Sequence, residues 1–345
     1  MNVELLKKLS EAFGVSGYEG EVREIIRKEL EGSVDEIEMD NLGNLIALKK
    51  GEGGKSKIAL FAHMDEPGLF VKHVDDKGFV YPAETSSIDP EILLGQEVLI
   101  KTKEGYINGI VGYKPVHLQT EEEAKKKVEY KNIFIDVGTK DKKEAEELGI
   151  EPGMPISFKQ NFSEFGKNFI KGKALDNRIG CYILLQLAKE LKLPNDLYFV
   201  FSVQEEVGLK GAKVSAYKLN PDFALVFDVS PAGGTPGIEE KECSIFLGKG
   251  PTITAIEASG RGVIIPEDVK NGIVEVARKE KIPYQIEAIA GGMSDATIVQ
   301  LTREGIRVGG IGVPCRYIHS PIEIASREDL ENAIKLAKAF LEGLE

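Results

Sequence analysis

The sequence predicts an α/β protein with a mixed, largely parallel sheet flanked by helices, and with a small β-rich domain inserted into it. Three short runs of β-branched and aromatic residues each stop at polar side chains; they cover 57–62, 197–203 and 223–227. Such runs are typical of strands buried on both faces of a parallel sheet. From about 69 to 162 short alternating runs and glycine-containing turns replace this pattern, which indicates an inserted β-rich unit. We therefore expect a discontinuous α/β domain over 1–68 and 163–345.

The spacing of apolar residues places the other elements. Repeats of three or four positions predict helices over 2–13, 19–30, 179–191, 266–280, 294–304 and 327–344. Further strand-like runs cover 34–39, 44–48, 284–288 and 306–313. Inside the insertion, alternation predicts strands at 70–74, 97–102 and 132–137, and a polar segment at 120–128 predicts one helix.

Composition excludes several classes of protein. With 345 residues, of which 42% are apolar, the chain can bury a large core. A formal net charge of −12 disfavours nucleic acids and anionic membranes as partners. No apolar run approaches the roughly 18 residues that a membrane span needs, and the first residues do not resemble a signal peptide, so we expect a soluble, cytoplasmic protein. The three cysteines are far apart and suggest neither a disulfide framework nor a thiolate zinc site.

Reactive side chains follow the three buried strands directly. The first run ends at His63 and Asp65, the second at Glu205 and Glu206, and the third at Asp228. Because parallel strands bring their carboxyl ends to one edge of a sheet, we expect these side chains to meet there. The simplest alternative is that the two glutamates only solvate the end of a strand.

Two more candidates lie outside these strands. Asp176 precedes an apolar helix, where it could also be an ordinary N-cap, and His319 lies in a tight loop. Two histidines and several carboxylates without cysteine suit one or two ions of zinc, cobalt or manganese. Two ions that share a carboxylate would acidify a water molecule and leave one glutamate as a base.

Five motifs carry a resemblance to a known family. They are AHMDE (62–66), GKALDNR (172–178), VQEEVGLKGA (203–212), FDVSPA (227–232) and RYIHSP (316–321). Together they resemble the motifs of the TET-type glutamyl and deblocking aminopeptidases, which are dinuclear metallo-exopeptidases of clan MH with a zinc-exopeptidase-like fold. The similarity covers essentially the whole chain, and any one motif alone would be weak.

The resemblance implies a role for each site residue. Two divalent ions per subunit, zinc or else cobalt or manganese, would be held by His63 and Asp228, by Glu206 and His319, and by Asp176 between them. Glu205 would be the general base and acid, taking a proton from the water that bridges the ions and delivering it to the leaving amine. Asp65 would orient His63. In similar enzymes the peptide bond that follows the bridging aspartate is cis, here Asp176–Asn177.

The resemblance also implies an assembly and peptide substrates. The inserted domain would mediate dimerisation, and the dimers would form a tetrahedral dodecamer with the active sites inside. Pro67, Asn177 and Met293 depart from the usual family pattern, but none of them removes a ligand. If the loop around Met293 borders the pocket for the N-terminal side chain, Met293 narrows that pocket and favours small residues. Asp295 is expected to be an acid in the first turn of a helix, with a role beside the substrate as the alternative.

Two other classes of function compete with the aminopeptidase. An endoglucanase-type glycoside hydrolase also needs paired carboxylates, but it needs neither histidine, and the chain has no tryptophan for a sugar platform. A non-catalytic peptide-binding scaffold of the same fold would have no use for a general base such as Glu205.

Overall fold

The computed structural model describes residues 1–54 and 56–344 of the chain. The described residues form nine α-helices: α1 (Val3–Glu11), α2 (Gly20–Leu30), α3 (Glu121–Ala124), α4 (Lys142–Glu147), α5 (Leu175–Glu190), α6 (Lys210–Leu219), α7 (Glu267–Lys279), α8 (Ala296–Val299) and α9 (Arg327–Glu342). None of these helices is both long enough and apolar enough to cross a membrane.

The described residues also form seventeen β-strands. They are β1 (Glu36–Met39), β2 (Leu45–Lys49), β3 (Lys57–His63), β4 (Leu69–Val74), β5 (Val80–Glu84), β6 (Glu97–Thr102), β7 (Gly105–Gly112), β8 (Phe134–Asp136), β9 (Pro155–Phe158), β10 (Ser163–Phe165), β11 (Phe169–Gly172), β12 (Asp196–Ser202), β13 (Phe223–Pro231), β14 (Thr252–Ile256), β15 (Gln285–Ala288), β16 (Arg307–Arg316) and β17 (Glu323–Ser326).

Eleven strands form one mixed sheet, which confirms the predicted fold class. Its main order is β1-β2-β12-β3-β13-β16-β17-β11-β10, and β14 and β15 branch from β16. The centre, β12-β3-β13-β16, is parallel, and the strands on either side of it in this order pair antiparallel; in the branch, β15 pairs in parallel with β14. His63 at the end of β3 pairs with Ser202 at the end of β12, so these two strands end at the same level. The apolar helix α5 packs against β3 and β13 and is buried along nearly its whole length.

The small β-rich unit is a closed barrel with the strand order β4-β5-β8-β7-β6-β9. Its core is separate from that of the sheet and includes Val71, Ile100 and Ile156. The chain enters the barrel from β3 through residues 64–68 and returns to the large sheet at β10. We propose 69–162 as the inserted domain.

Three predicted helices differ from the observed ones. The segment 294–304 is helical only over Ala296–Val299, because the chain turns soon afterwards and Arg303 has a positive φ of 51°. The polar segment 120–128 is helical only over Glu121–Ala124, where no side chain is buried and packing cannot extend the helix. The helix predicted from 179 begins at Leu175, but Asp176 and Asn177 have non-helical dihedral angles, so its regular part starts after them.

A buried ion-pair cluster connects the loop after β3 to its surroundings. Glu66 lies 2.5 Å from Lys173 Nζ and 3.6 Å from Arg178 Nη2, and all three side chains are almost fully buried. The Glu66 carboxylate also accepts hydrogen bonds from the Gly14 amide and from Ser157 of β9. The cluster therefore fixes the segment that carries His63 and Asp65 and joins the barrel to the α/β domain.

We expect Lys173→Met to lower the free energy of unfolding by about 3–5 kcal/mol, because it leaves the buried charge of Glu66 without its nearest partner. Lys189→Met, which removes the partly exposed pair with Glu29, is the matched control and should cost at most about 1 kcal/mol. Denaturant unfolding at one protein concentration measures both. Equal losses in the two variants would contradict the role given to the cluster.

Candidate active site

A cavity of about 340 Å³ opens at the carboxyl ends of the central strands. Six of the predicted site residues line it, and these are His63, Asp176, Glu205, Glu206, Asp228 and His319. Residues from position 63 to position 319 of the chain thus meet in one place, at the edge of the sheet that the strand ends predict. Asp65 lies directly behind the cavity wall and is fully buried.

Asp176 lies between the two histidines. Its Oδ1 is 3.2 Å from Nε2 of His63, and its Oδ2 is 3.7 Å from Nε2 of His319. The first histidine also faces Asp228 Oδ1 at 3.7 Å, and the second faces Glu206 Oε2 at 3.2 Å. The peptide bond between Asp176 and Asn177 is cis, as the family resemblance implies.

The donor groups suit a divalent cation. Three triads have ligand atoms close enough to share an ion: His63 with Asp176 and Asp228, His319 with Asp176 and Glu206, and His63 with Glu205 and Glu206. The first two share Asp176 and use each histidine once. Asp176 Oδ1 and Glu206 Oε1 are buried and accept no hydrogen bond from any residue that the structure describes. Buried oxygens without a donor are costly in a folded protein unless a cation or another ligand contacts them. Imidazole and carboxylate ligands at these positions therefore fit a metal site.

The local electrostatics lead to the same conclusion. Burial raises the pKa of Glu205 well above its usual range, and it raises the pKa of Asp228 to about 7. Burial lowers the pKa of His319, but Glu206 and Asp176 outweigh it and bring the pKa to about 10. Burial also lowers the pKa of His63. Glu205, Asp176 and Asp228 outweigh this effect and raise the pKa well above its usual value. Crowded acids of this kind hold protons or attract cations.

Asp65 fixes the two glutamates through their backbone. Its Oδ1 accepts the amide N–H of Glu205 at 2.9 Å, and its Oδ2 accepts the amide of Glu206 at 3.2 Å and the hydroxyl of Ser16 at 2.6 Å. Nδ1 of His63 lies 3.5 Å from the Asp65 carboxylate, but the nearer acceptor is the Asp65 carbonyl at 3.1 Å. Asp65 therefore contacts both the first histidine and the loop after β12.

Glu323 is a site residue that the sequence reasoning missed. One of its oxygens accepts the amide N–H of Asp176 at 2.9 Å, and the other accepts the amide of His319 at 3.1 Å. Burial raises the pKa of this carboxyl well above its usual range. Its position four residues after His319 was the only signal in the sequence.

The inserted barrel contributes to the site, although its sequence shows no catalytic cluster. Ser86 Oγ donates a hydrogen bond to Glu206 Oε2 at 2.9 Å, and the carbonyl of Ser87 lies 3.1 Å from His319 Nδ1. The second triad is therefore held partly by the loop that follows β5.

The two predicted pocket residues have different positions. Met293 lines the cavity and is 54% exposed. Asp295 is buried, lies behind the cavity wall and accepts a hydrogen bond from Ser202 at 2.5 Å. It occupies the N-cap position of α8, but its side chain does not cap that helix.

Comparison with known proteins assigns the chain to a family. The family model described as M42 glutamyl aminopeptidase matches residues 43–336. The chain belongs to this family. It is 37% identical to the lysyl aminopeptidase of Pyrococcus furiosus, over 99% of this chain and 97% of that protein. A solved aminopeptidase of Desulfurococcus kamchatkensis is 40% identical with a TM-score of 0.94, over 99% of this chain and 94% of that one.

A further neighbour bears on assembly. The TET1 peptidase of Pyrococcus horikoshii, which can assemble into a tetrahedron or a large octahedral shell, is 34% identical with a TM-score of 0.87, over 99% of both chains. Membership in a peptidase family makes the chain a peptide hydrolase and excludes the scaffold alternative. The name endoglucanase does occur among the similar structures: a Thermotoga maritima protein described in this way is 35% identical with a TM-score of 0.80, over 98% of this chain and 96% of that one. The match to a peptidase family model weighs against a glycoside hydrolase.

We expect Asp65→Asn to lower kcat/KM for aminoacyl amides about 10–100-fold. Asp65 accepts the two glutamate N–H groups with different oxygens, and the variant replaces one of these oxygens with an NH2 group that cannot accept. Asp75→Asn is the control for the loss of a carboxylate, since Asp75 accepts two loop amides with one oxygen and lies in the barrel away from the cavity. Steady-state kinetics compares the variants. Equal activity of the two would show that Asp65 does not organise the site.

Proposed function

We propose that this M42 family member is a dinuclear, metal-dependent aminopeptidase that removes N-terminal residues from peptides. The observation that carries the proposal is the position of Asp176, with one oxygen facing each histidine. His63 and Asp228 would hold one cation, Glu206 and His319 the other, and Asp176 both. We assign zinc, or else cobalt or manganese, from the mixture of imidazole and carboxylate donors.

Two divalent cations, when bound, supply Lewis acidity and lower the pKa of water at the site. Glu205 is the acid that this ligand set leaves free, and its Oε2 lies 3.9 Å from Nε2 of His63. Its carboxylate accepts a proton from the attacking water and then donates it to the leaving amine of the peptide. Asp65 supports this transfer because it fixes the backbone of Glu205, and burial around Glu205 excludes bulk water.

The proposed function leaves open which N-terminal residue the enzyme prefers to remove. The names of the similar proteins include both glutamyl and lysyl aminopeptidases, so they do not decide which side chain this enzyme prefers. The sequence argument from Met293 favours small residues, and that preference stays a prediction.

We propose further that the chain forms dimers through the inserted barrel and that the dimers assemble into a tetrahedral dodecamer. The similarity to the TET1 peptidase supports an assembly of this kind. The barrel also exposes apolar side chains on one turn, where Val116 is 75% and Leu118 is 67% exposed. Exposed apolar clusters of this kind are typical of contact surfaces.

We expect chelation to abolish hydrolysis of aminoacyl amides and Zn²⁺, Co²⁺ or Mn²⁺ to restore it. Glu205→Gln should lower kcat about 10²–10⁴-fold in the reloaded enzyme while the metal content is unchanged, because the variant keeps the ligands and loses the base. Activity assays and metal analysis of the same samples measure both effects. Full turnover by the chelated enzyme, or by Glu205→Gln, would refute the mechanism.

The double variant Val116→Asp/Leu118→Asp should reduce the particle mass below that of a dodecamer, since it places charges in the proposed contact. Met39→Asp, at a comparably exposed apolar residue of the α/β domain, is the control and should leave the mass unchanged. Analytical ultracentrifugation distinguishes the two outcomes. A double variant with the wild-type mass would contradict the proposed contact.

A further inference from the structure

The cavity contains a second pair of acids that the proposed reaction does not use. Glu257 follows β14, and Glu287 lies in the neighbouring parallel strand β15, opposite Thr254. Both line the same cavity as His63 and Glu205, and only 5% and 4% of their surfaces are exposed. Neither belongs to the groups that could hold the metal.

The hydrogen-bond donors of these two acids are neutral. Glu257 accepts bonds from the amide and hydroxyl of Ser294, at 3.0 and 2.8 Å, and Glu287 accepts one from the Thr254 hydroxyl at 3.0 Å. Within residues 1–54 and 56–344, neither acid forms an ion pair with a lysine, arginine or histidine. Two buried carboxylates thus face one cavity without a cation from the protein, an arrangement that a cationic ligand would stabilise.

Two glycines of β16, Gly310 and Gly312, leave space for the hydroxyl groups beside Glu287. A Cβ atom on Gly310 would lie 2.6 Å from Thr254 Oγ1, the hydroxyl that donates to Glu287, and a Cβ on Gly312 would lie 2.2 Å from Ser230 Oγ. Both glycines line the cavity. Any larger residue in this part of β16 would displace the hydroxyl groups beside the acid.

Apolar side chains also line this cavity. Ile289, Ile311 and Met293 line the cavity together with the two acids. A lysine side chain has the matching character, because its methylene stem packs against apolar surface while its ammonium group needs an acceptor. Methionine adapts its shape to a long neighbour, so Met293 need not restrict the pocket to small residues.

We propose that Glu257 and Glu287 select peptides whose N-terminal residue has a cationic side chain, lysine or arginine. This inference rests on the proposed aminopeptidase function and names its substrate class. A preference for lysine or arginine is incompatible with the preference for small N-terminal residues that the sequence argument from Met293 predicts.

The test compares lysyl and norleucyl amides, because norleucine has an unbranched aliphatic side chain without the ammonium group. We expect the metal-loaded enzyme to prefer the lysyl amide at least about tenfold in kcat/KM, the factor that about 1.4 kcal/mol of binding provides. Glu257→Gln/Glu287→Gln should lose most of this preference through a higher KM for the lysyl amide, and kcat/KM for the norleucyl amide should change much less. Glu280→Gln, at an exposed acid away from the cavity, should keep the wild-type ratio.

Binding provides a second readout. Calorimetric titration of the Glu205→Gln enzyme with a lysyl and a norleucyl peptide should show tighter binding of the lysyl peptide, and the two additional Gln substitutions should remove the difference.

Three outcomes would overturn the inference. A wild-type preference for norleucyl, alanyl or glycyl amides over lysyl amides would contradict it while leaving the aminopeptidase function intact. An equal loss for lysyl and norleucyl amides in the double variant would instead assign the two acids to the α-amino group or to folding. No turnover of any aminoacyl amide would refute the proposed function, and this inference with it.

Discussion

The crowding of buried carboxylates at the carboxyl edge of the sheet is the constraint on which the site depends. Asp176, Glu205, Glu206 and Asp228 surround two histidines in a cavity of about 340 Å³. Burial and mutual repulsion disfavour the charged forms of Glu205, Glu206 and Asp228. In the part of the chain that the structure describes, one oxygen of Asp176 and one of Glu206 have no hydrogen-bond donor. Divalent cations between the histidines would relieve both costs. The proposed function therefore follows from an electrostatic requirement of the fold as much as from the motifs.

The surrounding structure holds these groups in place through the backbone. Asp65 fixes the amides of Glu205 and Glu206, and Glu323 fixes those of Asp176 and His319. Asp65 and Glu323 lie outside the proposed ligand set, but they position the four residues that would bind the metal ions or transfer the proton. Ser86 extends the support to the barrel, so that the insertion, whatever its part in assembly, helps to complete the cavity.

Much of this arrangement could be predicted because strand ends leave a local signal. An apolar run that stops at His63, Glu205 or Asp228 is visible in the sequence, and parallel pairing brings the ends together. Glu257, Glu287 and Glu323 could not be found in this way, because single acids in half-polar segments look like surface residues until the strands pair. The length of helix α8 was overestimated for a related reason, since the first glycine that marks an end of this segment is Gly305, whereas the helix already ends at Val299.

Anomalous diffraction at the zinc edge, on crystals of the zinc-loaded protein, tests the central claim most directly. The account predicts two peaks per protomer on either side of Asp176, one beside His63 and Asp228 and the other beside His319 and Glu206. In Asp176→Ala crystals at least one of the two peaks should be lost. Zinc-loaded, active protein with no peak in this cavity, or with peaks only elsewhere, would contradict the account.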